Sequence, residues 1–236
     1  MNHLWAIPQS WRWVEFSDLG EIVSGGTPST KEPSYWGGEI RWISPSDLTG
    51  YSKKTISRGS KNPTKHGLDN SSAKLMPAGS IHFSSRAPIG YVVISSEPVS
   101  TNQGFKSIVP APGVFNEYVY YFLKSAKSLA ENRASGTTFR ELSGSPFSRL
   151  PFPLAPTSEQ HRIVAKIEEL FSELDNGVEN LKTAREQLQV YRQAVLKHAF
   201  EGKLTARWRA TNKSMLESPV HLIARIKNDR ETKYQY

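Results

Sequence analysis

The chain contains no cysteine in its 236 residues. That excludes disulfides, thiolate metal sites and cysteine nucleophiles, and it fits a reducing, cytoplasmic setting. No apolar run approaches the roughly 18 residues of a membrane span, and the opening MNHLWAIPQSW has no signal-peptide core. Catalytic signatures are missing as well. There is no GxxxxGK[S/T] phosphate loop, no GxGxxG after a strand, no GxSxG elbow and no HExxH pair. The histidines, His3, His66, His82, His161, His198 and His221, are not clustered at metal-ligand spacing. GGTP at 25–28 lacks the lysine of a phosphate loop and reads as a plain turn. No catalytic residue, metal site or cofactor is expected in this chain.

What the chain does have is one long periodic segment. Residues 156–200 read as a helix of about 43 residues, roughly 64 Å at about 1.5 Å per residue. Thr157 is the expected cap, with Gln160 completing a capping-box pattern. Ile167, Leu174, Leu181, Leu188 and Val195 recur every seven residues, and Ile163, Leu170, Gly177, Ala184 and Tyr191 form the second series beside them. About five heptads with charge elsewhere argue a coiled coil, and such a seam needs a partner helix. The expected dimerisation or docking stripe is Ile163, Ile167, Leu170, Leu174, Leu181, Leu188, Tyr191 and Val195. Gly177 is its weak point.

The architecture expected is α+β: a mixed globular domain over 1–155, the spacer helix over 156–200, and a basic tail over 201–236. In the first domain, GSIHFSSR and IGYVVIS read as strands, STNQGFKSIVP as another with Gln103 and Gly104 interrupting it, and residues 116–127 as a helix with Tyr118, Tyr121 and Phe122 inward. Pro63 is expected to open a short helix through Leu68, and Trp36 and Trp42 to be core. Residues 136–156, rich in Gly, Ser and Pro, read as a linker. In the tail, Gly202 closes the long helix and Ser218 caps a second one that starts at Pro219.

The formal charge is +8 and is unevenly placed. From Tyr51 to Lys74 run Lys53, Lys54, Arg58, Lys61, Lys65 and Lys74 against Asp69 alone. A concentrated positive segment points to a polyanion, nucleic acid first among them; a solvated basic loop is the alternative. Arg86, at a strand end before a proline turn, and Gln103 have the donor geometry to read guanine and adenine edges, or they serve their own loops. Thr138 and Arg140 are candidate phosphate contacts. The candidate DNA-binding set is therefore Lys53, Lys54, Arg58, Lys61, Lys65, Arg86, Gln103, Thr138 and Arg140.

These segments, taken in order, carry a resemblance. WRWVEFSDLGEIVSGGTPST, YWGGEIRWISPSDL, PAGSIHFSSRAPIGYV, STNQGF, PFPLAPTSEQHRIVAKIEELFSELD and AFEGKLTARWR together resemble the DNA-specificity subunits of type I restriction–modification systems, over essentially residues 8–236. The resemblance implies a target recognition domain, and long helices that pack antiparallel and set the gap between two half-sites. It implies methyltransferase (M) subunits that carry S-adenosylmethionine, and an optional ATP-driven restriction (R) subunit. The specificity subunit itself has no catalytic residues. No base contact transfers residue by residue, because the reading loops of that family vary. The family holds two recognition domains where this sequence holds one, so a half-size subunit or a shortened chain is expected. A homodimer through the seam would present two readers to inverted half-sites.

Two other readings stay open from sequence. One is the recognition part of a methyltransferase or nuclease whose catalytic segment lies elsewhere; no NPPF- or DPPY-like motif occurs here. The other is a coiled-coil assembly protein whose basic loop is incidental.

Overall fold

The computed structural model describes residues 5–136 and 140–233, so Thr138 lies outside the described residues. Internal contacts divide the chain into two units, the first ending at Glu169 and the second beginning at Leu170. The fold is α+β.

In chain order the first unit contains β1 (Arg12–Glu15), β2 (Gly20–Ser24), β3 (Trp42–Ile43), β4 (Thr55–Ile56), α1 (Lys65–Asp69), β5 (Ile81–Ser85), β6 (Ile89–Ser95), β7 (Ser100–Thr101) and β8 (Phe105–Pro110). Helices α2 (Asn116–Ser125), α3 (Lys127–Arg133) and α4 (Gly144–Ser148) follow, then β9 (Pro151–Leu154) and the start of α5 (Thr157–Phe200). A five-stranded sheet runs β2-β8-β5-β6-β4, antiparallel except that β4 lies parallel to β6. β1 pairs with β9 antiparallel, and β3 with β7 parallel.

Period-two alternation sorts the side chains of the large sheet into two cores. Ile81 and Phe83 of β5, Val92 and Ile94 of β6, and Ile108 of β8 join the larger core, where Tyr118, Val119, Phe122 and Leu123 of α2 cover them. Val93 and Phe105 face the opposite way and meet Ile43, Leu48, Ile56 and Val99. Phe16 centres the larger core, with ring centroids 5.3, 5.5 and 5.9 Å from Phe147, Phe152 and Phe122. Trp42 is buried as expected; Trp36 is only half-buried and meets it edge-on at 5.3 Å. Tyr121 is half-buried as well, and its hydroxyl donates to Glu168.

Three expectations are corrected here. Residues 136–156 are not a linker: they hold α4 and β9, and Leu142, Phe147, Leu150 and Phe152 are fully buried. Two prolines are tolerated in β9 because a two-stranded ladder leaves each strand an unpaired edge. STNQGFKSIVP is two strands rather than one, with β7 and β8 in different sheets. The capping box at Thr157 and Gln160 does not form. Thr157 Oγ1 donates to Gly113 O at 2.8 Å, while the buried Gln160 side chain accepts from Phe115 N at 2.8 Å and donates to Ala155 O at 2.9 Å. Gln160 thus fastens α5 to the loop before α2, and Val164 inserts into the larger core.

His82 lies fully buried on the smaller-core face, its Nδ1 2.9 Å from Ser107 Oγ. Burial pushes its pKa down to about 3, whereas the unfolded side chain titrates near about 6.5. A depressed folded value means that stability is complete above about pH 6.5 and is lost as pH falls towards 3. Between pH 7 and pH 5 this one group is expected to cost about 2 kcal/mol. Urea midpoints at the two pH values check it: His82→Leu should remove a loss of that size from the wild-type difference.

The second unit comprises the rest of α5, then α6 (Ala206–Thr211) and α7 (Pro219–Lys233), with Gly202 in the left-handed region at φ +73° ending α5. The basic stretch after Gly202 thus carries a short helix of its own. Along α5, Leu170, Leu174, Leu181, Leu188 and Tyr191 are exposed, Leu181 by 73%. Ile167 and Val195 are half-buried. Ile163 belongs with the larger core, against which it packs, rather than with the open stripe. A Cβ at Gly177 would meet nothing within 4 Å.

Candidate nucleic-acid interface

Three of the segments that drew attention in the sequence meet at one end of the large sheet. At the end of β5, Ser84 Oγ accepts from Tyr91 N and donates to Pro88 O, each at 2.7 Å, which pins the Arg86–Pro88 turn with its cis Ala87–Pro88 bond. Ser85 N donates to Gly104 O at 2.7 Å, tying that turn to the 102–104 turn. Leu142 N donates to Ser85 O at 3.0 Å and brings Glu141 alongside. From the third segment, Gly25 N and Gly26 N donate to Phe105 O and Thr101 O. A Cβ on Gly25 would stand 1.9 Å from Asn102 O, so only glycine permits this approach.

The side chains form one polar network. Asn102 Nδ2 donates to Thr27 Oγ1 at 2.8 Å, Thr27 Oγ1 donates to Gln103 Oε1, and Asn102 Oδ1 accepts from Gly104 N at 2.7 Å. Glu141 takes two cations, Arg86 at 3.3 Å and Lys106 at 3.6 Å. Lys106 is buried, and burial pulls its ammonium pKa down against the pull of Glu141. Arg86 and Gln103 are thus brought together, with the exposed Arg140 next to Glu141 in sequence. Thr27, Asn102, Lys106 and Glu141 were not singled out from sequence. Lys106 carried a signal: a lysine at an inward position of an apolar strand requires a carboxylate partner.

The basic segment begins elsewhere. Thr55 of β4 lies beside Ile94, five residues along β6 from the Arg86 turn, about 17 Å away at the usual rise. Lys54 lies there between Glu117 at 2.8 Å and Glu168 at 2.5 Å. Burial opposes its charge, but the two carboxylates outweigh it and raise its pKa. It braces the start of α5. Lys65 pairs with Asp69 one helical turn on. Lys53, Arg58, Lys61 and Lys74 are exposed, and among the described residues they form no ion pair. The chain carrying Arg58 and Lys61 is held by Gly59 N on Trp42 O at 3.0 Å and Ser60 N on Asp47 Oδ1 at 2.9 Å. Burial works against the charge of Asp47, yet donors from Ser44 and Ser60 prevail and lower its pKa. Among the described residues no group of three His, Asp or Glu is placed to hold a metal, and no helix is long and apolar enough to cross a membrane.

Arg86 and Gln103 thus stand at one strand end of the large sheet, while the basic segment begins at the other end of β6. The family described as type I restriction modification DNA specificity domain matches residues 8–183. The type I restriction enzyme MjaIX specificity subunit of Methanocaldococcus jannaschii is 41% identical across 78% of this chain and 42% of its own length. The HindI specificity subunit of Haemophilus influenzae is 31% identical across 74% of this chain and 38% of its own. In fold, the chain resembles the crystal structure of the HsdS subunit from Thermoanaerobacter tengcongensis, with TM-score 0.58 and 19% identity over 86% of this chain and 47% of that one. The chain belongs to the type I restriction modification DNA specificity family. It spans about half the length of the curated relatives it matches.

Proposed function

We propose that this chain directs a type I methyltransferase complex to a bipartite DNA site, as a homodimer joined through α5. The exposed leucine stripe of α5 carries the dimer reading, because an apolar seam of this length in water calls for a second helix. In this reading Arg86 and Gln103 read base edges, while Lys53, Arg58, Lys61, Lys74 and Arg140 hold phosphates. Lys54 braces the helix and does not touch DNA. Methyltransferase subunits carry S-adenosylmethionine, a restriction subunit uses ATP, and the complex works in the cytoplasm.

Duplex binding across a salt series tests the DNA part. About five neutralised phosphates per recognition domain give a log–log slope of about −4 to −5. A slope near zero would instead favour an assembly protein whose basic residues only solvate it.

A further inference from the structure

We propose that Glu141 is a specificity-determining residue: it holds Arg86 back from DNA until a matching base draws the guanidinium away. The inference rests on the DNA reading above and adds a mechanism of discrimination to it.

One carboxylate faces two cations here, and the two are not equivalent. Lys106 is anchored: its side chain is 7% exposed, and its Nζ also donates to Gln103 O at 3.4 Å. Arg86 is 37% exposed and touches Glu141 through a single Nη1 contact of 3.3 Å, not a paired fork. A long single contact between half-exposed groups is weak and easily exchanged. When Arg86 leaves, Lys106 keeps Glu141 as its partner, so no buried charge is stranded. Glu141 is held in place at its main chain. Its backbone is bridged to Ser135 in both directions, at 2.9 and 3.1 Å, and the next residue, Leu142, is fully buried and bonded to Ser85.

The carboxylate therefore penalises any approach of phosphate that brings no compensation. A guanine edge offers compensation, because its O6 and N7 accept two donors from one guanidinium. Gln103 lies beside this position with an amide nitrogen that supplies two more donors. A mismatched site offers Arg86 nothing better than Glu141, so the cation stays on the carboxylate and is withheld from the duplex.

The experiment measures affinity for a mixed-sequence duplex and for a duplex carrying the mapped target, near 0.1 M salt. A guanidinium freed to neutralise one further phosphate adds about one unit of effective charge, or about tenfold in affinity at that salt. Glu141→Gln is expected to bind the mixed-sequence duplex about tenfold more tightly, and the preference for target over mixed sequence should shrink by the same factor. The gain should vanish in the Arg86→Gln background, where no guanidinium is released. Should Glu141→Gln strand Lys106 and unfold, the Glu141→Gln, Lys106→Met double variant removes both charges and is expected to show the same gain. Unchanged affinity for mixed sequence in a folded variant overturns the gate alone, as does an equal gain with and without Arg86. Failure of the wild type to bind any duplex overturns the DNA reading and the gate with it.

Discussion

Replacing Lys53, Arg58 and Lys61 together with glutamine is expected to weaken binding to every duplex by a few hundredfold near 0.1 M salt. The three side chains are exposed and form no ion pair among the described residues, so their charge is available to phosphate. Each lost phosphate contact removes about 0.9 from the salt slope and nearly a decade of affinity at that salt. The slope should therefore fall by about 2.7, and sequence preference should stay as it was, because phosphate contacts carry no sequence information. Fold stability should barely change, since none of the three makes a buried contact. Lys54→Met is the internal control: its ammonium already serves Glu117 and Glu168, so the slope should be unmoved. Fluorescence anisotropy over a salt series, with the triple variant and the control side by side, checks the result. A slope that drops with Lys54 and not with the other three would reverse the assignment.

Placing aspartate at Leu174 and Leu181 is expected to dissociate the proposed dimer without disturbing the first unit. Both leucines are well exposed in the single chain, by 63% and 73%, so neither supports its own unit. Buried against a second helix, each leucine contributes about 1.5–3 kcal/mol, and two-fold symmetry counts every substitution twice. A single change thus removes about 3–6 kcal/mol from association, and the double change more, with desolvated aspartates adding to the cost. The dissociation constant should rise by at least a thousandfold. Sedimentation at micromolar concentration reads the change in mass. The His82-linked loss of stability in acid should persist in the variant, because it belongs to the first unit.

The parts legible in the sequence were those set by local pattern. β6 announced itself by its β-branched run after a proline turn, β5 by Ile81 and Phe83 before that turn, and α5 by its heptads. What stayed hidden depended on partners distant in the chain. PFPL looks like a linker until β1 pairs with it, because proline signals a loop wherever both edges of a strand must be bonded. Gln160 looks like half of a capping box, since that motif and a side chain bound to a distant loop share one sequence. Lys54 looks like its neighbours in a basic run, and only folding sets it between carboxylates 63 and 114 residues away. At the candidate site, the chemistry of Arg86 and Gln103 was readable one residue at a time. That they stand together, beside a carboxylate shared with Lys106, follows from ladder register and could not be read from spacing.

The most direct test of a paired reader is the pattern of methylation it directs. The chain, combined with a type I methyltransferase subunit and S-adenosylmethionine, would be given random-sequence DNA, and the modified adenines mapped by sequencing. Two copies joined through α5 should yield one motif written twice, as inverted half-sites separated by a constant gap. The Leu174→Asp, Leu181→Asp variant should lose that paired pattern. A single, unpaired motif, or modification scattered without sequence preference, would contradict the account.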